Sequence, residues 1–206
     1  ERQGGSTIIL HTRDKDSWFW FIPLRDDITS IGVVADDDYL VKGRGTPEQT
    51  FAEELELCPV LGGWLAEAEP TERFRVAKEF SYTSSEQAGD GWLLVGDAFG
   101  FIDPIYSSGV FFALKTGILA ADVIVKGLQG DDLSARQLGS WIEQFEIGSN
   151  WIRKLVGVFY KNDFSFGQFL RKYPGHRGNL TDLLIGRIFH DEAGRIFDDL
   201  DLEVRD

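Results

Sequence analysis

Residues 92–114, WLLVGDAFGFIDPIYSSGVFFAL, hold the side chains best suited to chemistry in this chain. They have the grammar of a short strand, a glycine-rich turn and a helix start. Gly96 and Gly100 permit tight turns, and Ser107, Ser108 and Gly109 suit the first turn of a helix. A helix start offers free backbone N–H groups and the positive end of the helix dipole, which together attract a negative group. Asp97 has the opposite preference, because a carboxylate repels phosphate and accepts hydrogen bonds from sugar or polyol hydroxyls. A glycine-rich turn between a strand and a buried helix is also ordinary architecture, so spacing alone leaves a cofactor role open. A second stretch, SWFWFIPL at 17–24, puts four aromatic residues in a row. In a strand, Trp18, Trp20 and Ile22 share one face over roughly 13 Å and Phe19 and Phe21 share the other. Such a ribbon is either a two-sided core strand or a wall that shuts something out.

The elements that must position these residues follow from periodicity and punctuation. Residues 6–36 alternate as three strands separated by polar turns, an antiparallel meander. Thr46, Pro47 and Glu48 start a helix that runs toward Pro59, and a second short helix is expected over 60–69 before Pro70. Residues 73–84 return to strand, 86–91 form a turn, and WLLVG at 92–96 reads as a short buried strand. In the following helix, Val110, Phe111, Leu114, Ile118, Ala121 and Val125 fall on one face. Lys115, Asp122 and Lys126 form a narrow polar stripe opposite, which predicts a helix covered on most sides. Beyond Gly130 the chain is helical and amphipathic through 141–160, with Trp141, Trp151 and Phe159 expected in a helical core rather than lining a pocket. The acidic end, 197–206, is expected to be a solvated tail. Asp103 and the cluster Asp36 to Asp38 read as turn or surface charges.

Composition excludes several classes of function. The chain has 206 residues and a formal net charge of −13 with no lysine or arginine cluster, which argues against a nucleic-acid partner. One cysteine, Cys58, cannot form an internal disulfide, and the chain fits a reducing, cytoplasmic setting. His11, His176 and His190 show no metal-ligand spacing with it, so no metal site is expected. The most apolar run, 109–128, carries Lys115, Asp122 and Lys126 and reads as a buried helix rather than a membrane span. No signal peptide opens the chain. The chain has no methionine, so residue 1 cannot be an initiator and the sequence is expected to start inside something longer or to have been processed.

Residues Gly96 to Val110, GDAFGFIDPIYSSGV, resemble the second FAD-contacting motif of the flavoprotein monooxygenase and halogenase superfamily. The resemblance implies FAD contacts from Gly96, Asp97, Ala98, Pro104, Gly109 and Val110. Asp97 would accept from the ribityl or ribose hydroxyls, and the helix beginning near Ser108 would point at the pyrimidine side of the isoalloxazine. Trp18, Trp20, Ile22 and Pro23 match W-x-W-x-I-P, which resembles the signature of flavin-dependent halogenases. There the ribbon partitions the organic substrate from the reactive flavin. Both motifs occur in the family's order, and the likeness extends over about residues 5–130.

The resemblance implies an FAD-dependent halogenase with chloride or bromide as co-substrate and reduced flavin supplied by a separate reductase. A flavin hydroperoxide would oxidise halide held by the backbone amides of Ser108 and Gly109, and a small aromatic substrate would be halogenated. The fold class implied is α+β. Residues 1–90 would form a substrate-side antiparallel sheet, 91–130 the FAD-closing strand, Gly-Asp motif and helix, and 131–206 a helical C-terminal region. The dinucleotide fingerprint is absent, since GRGTPE at 43–48 has Glu48 where the third glycine belongs. The family's fingerprint and its guiding lysine would lie in an N-terminal portion outside this chain, so no lysine is assigned and the catalytic residues stay unknown. Tyr106 stands where tryptophan halogenases carry a glutamate, which resembles the phenol or pyrrole branch, whose substrates can ride on carrier proteins. The rival readings are a hydroxylase, a reductase of the geranylgeranyl-reductase type, and a non-catalytic fragment.

Overall fold

The structure is a computed structural model that describes residues 5–77, 81–161, 163–190 and 192–204. The chain divides into two compact units, Glu1–Lys78 and Glu79–Asp206. Residues 81–90, grouped with the sheet in the sequence reading, lie in the second of these.

In the first unit, β1 (Ile8–His11), β2 (Ser17–Pro23) and β3 (Thr29–Ala35) form the expected meander, antiparallel in the order β1-β2-β3. A short α1 (Asp37–Leu40) follows, with the Asp36 carboxylate accepting from the Asp38 amide at 2.9 Å, the turn role expected of this cluster. Next come α2 (Pro47–Glu56) and α3 (Pro59–Trp64). Helix α2 starts where Thr46 and Pro47 predict it. The Thr46 hydroxyl accepts from the Gln49 amide, and the Gln49 side chain accepts from the Thr46 amide, so two orphan donors are satisfied reciprocally. Helix α3 stops at Trp64 instead of reaching 69, because Gly62 and Gly63 weaken its last turn. The strand expected over 73–84 is mostly absent. Residues 73–77 have no regular structure, 78–80 lie outside the described residues, and only Tyr82–Thr83 is extended and paired.

The second unit begins with that strand, β4 (Tyr82–Thr83). Strands β5 (Ala88–Gly89) and β6 (Trp92–Leu93) make a two-residue hairpin turning at Asp90-Gly91, where Gly91 sits at φ +80°. Strand β7 (Gly100–Phe101) pairs antiparallel with β4. The buried strand expected at 92–96 is therefore only two residues long and has one partner strand; Leu93 and Leu94 pack against the helical core, while Trp92 and Val95 are exposed. The remainder is helical: α4 (Gly109–Gly130), α5 (Ala135–Leu138), α6 (Ile142–Phe159), α7 (Phe166–Lys172), α8 (Arg177–Leu184) and α9 (Ile196–Glu203). The fold class is thus α+β with small antiparallel sheets. Among the described residues no helix is long and apolar enough to cross a membrane.

Two expectations are overturned here. Helix α4 buries Phe112, Thr116, Ala120, Val123 and Gly127, not the face that begins at Val110. Val110, Leu114, Ile118 and Val125 are exposed, Val110 by 75%. A helix that is apolar apart from the narrow stripe of Lys115, Asp122 and Lys126 has its rotation only loosely set by polarity, and Thr116 on the buried face bonds inward, as described below. The acidic end is no solvated tail, since α9 buries Ile196, Phe197 and Leu200. Its acids find partners instead: Lys154 reaches Asp201 at 2.9 Å and Lys172 reaches Glu203 at 2.6 Å. His176 Nε2 lies 2.7 Å from Asp199 and Nδ1 lies 3.1 Å from the Asn179 side-chain oxygen. The Asn179 amide is itself fixed by donating to the Glu192 carbonyl, so both ring nitrogens of His176 face acceptors. Burial alone would lower the His176 pKa, but these bonds and the charges of Asp199 and Asp198 raise it. Trp141 lies in the core against Phe99 and Phe145, as the sequence predicts; Trp151 and Phe159 are half-buried.

Candidate functional site

Each unit carries one of the stretches singled out in the sequence, and each is built by local rules. In the first, β2 is a two-faced strand. Phe19 is fully buried and meets Phe51 of α2 edge-on at 5.6 Å between ring centres, while Phe21 meets Trp64 of α3 at 5.3 Å. The other face carries Trp18 and Trp20 side by side, with ring centres 6.3 Å apart. Trp20 pairs in register with Gly32 of β3, and its indole lies across that strand. A Cβ at position 32 would fall 2.0 Å from the indole, so glycine is what permits this pose. The Trp20 Nε1–H donates to the Ser30 hydroxyl at 3.2 Å, which fixes the ring further.

The start of β2 is anchored by a buried acid that the sequence reading missed. Glu54 of α2 is fully buried; it accepts from the Ser17 hydroxyl at 2.5 Å and from the Tyr39 hydroxyl at 3.3 Å, and it pairs with Arg44. Arg44 also bonds Glu53, at 2.6 Å. Burial opposes the Arg44 charge, but the bonds to Glu54 and Glu53 raise its pKa, so it stays cationic. Burial, the Glu54 charge and the bond to Glu54 raise the Tyr39 pKa. Ser17 is further clamped by Thr12, whose hydroxyl donates to the Ser17 carbonyl at 2.9 Å. The residues GRGTPE thus make an ion pair and a helix cap, which gives positive content to their failure as a dinucleotide fingerprint. Glu54 sits within the acidic run EELEL, where nothing but the helical spacing from Thr50 marks it as inward-facing.

In the second unit, Gly96–Ala98 is one turn of 3-10 helix locked onto α4. The Gly96 N–H donates to the Thr116 hydroxyl at 2.9 Å, and Thr116 in turn donates to the carbonyl of Phe112 at 2.8 Å. Gly96 adopts φ +55°, and a Cβ there would meet the Ala113 methyl at 3.3 Å, so both the conformation and the close approach call for glycine. Asp97 and Ala98 are exposed. The Asp97 carboxylate has no hydrogen-bond partner among the described residues, while its backbone carbonyl accepts from the Tyr82 hydroxyl at 2.5 Å. The carboxylate of Asp103 accepts from the Ile105 amide at 3.0 Å, the turn role expected of it, and also from the Tyr160 hydroxyl at 2.8 Å, which braces it further. Pro104 opens a second 3-10 turn, Pro104–Tyr106, and Ser107 then takes the left-handed conformation at φ +53°.

Ser108 is the N-cap residue of α4, yet it has helical dihedrals and its hydroxyl makes no cap bond. This corrects the expectation that serine caps the helix. The first bond of the helix runs from the Phe112 amide to the Ser108 carbonyl at 3.0 Å, which leaves the amides of Ser108, Gly109, Val110 and Phe111 without intrahelical partners. A Cβ at Gly109 would meet nothing within 4 Å, so the helix start opens to free space. Beside it lies a partly open cavity of about 150 Å³, lined by residues 106–108, 111 and 112, by Ile152 of α6, and by residues 183–186 and 188. The Tyr106 hydroxyl donates to the Leu155 carbonyl at 3.3 Å, and burial, then the charges near Tyr160 and Asp103, raise its pKa, so the phenol stays neutral. The second unit therefore brings together a locked glycine turn, an exposed acid and an uncapped helix start. That donor set fits a ligand with polyol hydroxyls and an electron-rich or anionic edge. Among the described residues no group of three or more His, Cys, Asp or Glu could hold a metal ion.

Comparison with known proteins places these features in a family. Residues 10–176 match the family model for tryptophan halogenase. The chain is similar to the 1H-pyrrole-2-carbonyl-[peptidyl-carrier protein] brominase of Pseudoalteromonas luteoviolacea, 37% identical over 196 residues, covering 91% of this chain and 46% of the relative. It is also similar to the 1H-pyrrole-2-carbonyl-[peptidyl-carrier protein] chlorinase of Pseudomonas fluorescens, 29% identical over 184 residues, covering 89% of this chain and 40% of the relative. Among solved structures, the flavin-dependent brominase Bmp2 superposes with a TM-score of 0.84 at 31% identity, covering 98% of this chain and 51% of that one. The chain spans about half the length of the relatives it matches or less.

Proposed function

This chain belongs to the tryptophan halogenase family, and from that premise we propose that it is the substrate-side portion of an FAD-dependent halogenase acting on an aromatic substrate. The observation that carries the reading is the start of α4: uncapped, open at Gly109, and fastened through Thr116 to the turn that presents Asp97. Reduced FAD, when bound, would activate molecular oxygen, which is the oxidant for halide. Gly96, Asp97, Ala98, Pro104, Gly109 and Val110 cradle it, with the Asp97 carboxylate accepting from its ribityl or ribose hydroxyls. The backbone amides of Ser108 and Gly109 hold chloride or bromide by charge-dipole attraction at the helix end. Trp18, Trp20, Ile22 and Pro23 act as the partition that keeps the organic substrate from the oxidised centre, held rigid by Gly32, Ser30 and the Glu54 anchor.

Two structural features support a partial FAD-binding fold whose dinucleotide fingerprint and guiding lysine lie outside this chain. The stripe of Val110, Leu114, Ile118 and Val125 is left bare on α4, and in WLLV, whose strand has one partner, Trp92 and Val95 are exposed. The rest of the full-length protein covers both. A carrier-bound pyrrole or similar ring as substrate is favoured by the two carrier-protein halogenases among the relatives. A separate reductase supplies reduced flavin, and a cytoplasmic setting suits the single buried thiol, Cys58.

The test uses the full-length protein that contains this chain, with reduced FAD, oxygen, bromide and pyrrole-2-carbonyl carrier protein, read by mass spectrometry. The expected product carries bromine and forms only when halide is present. A hydroxylated product formed at the same rate without halide would overturn the reading in favour of a hydroxylase.

A further inference from the structure

We propose that Tyr82 and Ser84 are positioning residues of the cofactor site: together with Thr116 they hold the Gly96–Ala98 turn from two sides, so that the Asp97 carboxylate is aimed before a ligand arrives. This rests on the flavin reading and adds to its site two side chains to which the sequence assigns only a place in a strand.

The turn cannot hold itself. It is three residues of 3-10 helix closed by one bond, from the Phe99 amide to the Gly96 carbonyl at 3.0 Å. So short a piece is marginal alone, because 3-10 hydrogen bonds are poorly aligned. Asp97 and Ala98 are exposed, so burial of their side chains adds little. What fixes the turn is bonding to its backbone. On one side stands α4, where Thr116, almost fully buried, spends its proton on the Phe112 carbonyl at 2.8 Å and offers its oxygen to the Gly96 amide at 2.9 Å.

On the other side stand β4 and the residue after it. The Tyr82 hydroxyl donates to the Asp97 carbonyl at 2.5 Å, and the Ser84 hydroxyl donates to the Ala98 carbonyl at 2.7 Å. The Ser84 amide donates to the Phe99 carbonyl at 3.1 Å, and the Phe99 ring is buried against Trp141 and Phe145. Each residue from 96 to 99 is thus held by a bond from outside the turn. Tyr82 is itself placed: it pairs with Phe101 of β7, and the two rings stack with centres 6.5 Å apart and planes 17° apart. The Arg153 guanidinium donates to the Tyr82 carbonyl at 3.5 Å. With the backbone fixed in this way, only the side-chain torsions of Asp97 remain to be ordered when hydroxyls dock on its carboxylate. Preorganisation of this kind raises affinity by cutting the ordering cost.

The experiment uses the full-length protein and two readouts: FAD affinity by fluorescence titration, and, without flavin, hydrogen–deuterium exchange mass spectrometry of a peptide spanning 94–101. Tyr82 is 47% exposed, so Tyr82→Phe is expected to remove the hydroxyl with the unfolding midpoint unchanged. It should weaken FAD about three- to tenfold, the range of one lost hydrogen bond. Exchange over 94–101 should quicken while a peptide over 142–159 exchanges as before. Ser84→Ala should act in the same direction, and Ser84→Thr, which keeps the hydroxyl, should bind FAD like the wild type. In an Asp97→Ala background, Tyr82→Phe should weaken FAD no further, because the hydroxyl acts through that acid. Wild-type FAD affinity in Tyr82→Phe overturns the proposal and leaves the flavin reading standing. Strict additivity with Asp97→Ala also overturns it, since Tyr82 would then touch the cofactor itself. A wild type that binds no FAD sinks the flavin reading instead; the exchange rates then decide the clamp alone, and unchanged rates over 94–101 in Tyr82→Phe refute it.

Discussion

Strand β2 and helix α4 are the two most apolar ribbons in the chain, and they are finished to different degrees. Every side chain of β2 from Ser17 to Phe21 has its setting within the first unit or is buried: Phe19 and Phe21 against α2 and α3, Trp20 over Gly32, Ser17 on Glu54. Helix α4 has one such face, anchored by Thr116, and one that faces outward with Val110, Leu114 and Ile118 bare. On the proposed reading the contrast has a purpose: a partition must be complete to work, because a wall that repacks lets substrate through, whereas a helix start that is to receive ligands must be left open.

The strongest way to break the finished side of this comparison is to remove its buried acid. Glu54→Ala leaves the Ser17 hydroxyl without that acceptor and Arg44 with Glu53 alone. Losing one member of a buried ion pair costs about 3–5 kcal/mol, and the surviving bond to Glu53 puts the expected loss near the lower end. Denaturant unfolding would measure it. A loss below about 1 kcal/mol, the range of surface pairs, would mean the network anchors nothing.

A smaller effect is expected from Gly32→Ala, which puts a methyl where the Trp20 indole lies. Overpacking of this kind costs about 1–3 kcal/mol. The indole must turn away and give up its bond to Ser30, so the near-ultraviolet circular dichroism of tryptophan should change with it. Adding Trp20→Leu to Gly32→Ala should recover much of the loss, a coupling above about 0.5 kcal/mol. Strict additivity of the two substitutions would show that the glycine serves the strand's backbone rather than the indole.

How much of this was legible in the sequence depends on whether a pattern left alternatives. The meander was, because three strand-like stretches rich in β-branched and aromatic residues are separated by polar turns. So was α2, because Thr46, Pro47 and Gln49 are chemical signals of a helix start. The rotation of α4 was not, since a mostly apolar helix with a narrow polar stripe reads alike at several angles, and the buried side turns out to be the one that carries Thr116. The docking of α9 was hidden by its acids: Ile196, Phe197 and Leu200 make a short inward stripe, but Asp198, Asp199 and Asp201 dominate the composition. Glu54 looked like its neighbours in EELEL, and only the fold reveals that Arg44 turns back to meet it. In the candidate site, the types at Gly96, Asp97 and Ser108 pointed to the right turn and helix start, while the cavity needed residues from α6 and from the segment after α8 that no local motif connects.

The least disruptive change sharpens the other side of the comparison. At Thr46 the hydroxyl caps α2, and Thr46→Ala should cost about 1 kcal/mol. At Ser108 the hydroxyl makes no cap bond, so Ser108→Ala has no cap to lose and should shift stability by clearly less than the roughly 1 kcal/mol expected at Thr46. The backbone amides survive the change, and halide dependence of turnover in the full-length protein should survive with them. A loss at Ser108 equal to that at Thr46 would mean that the serine closes the helix with its own oxygen. An anion would then have to displace a hydrogen bond to reach those amides, and the contrast between a closed helix start at α2 and an open one at α4 would be gone.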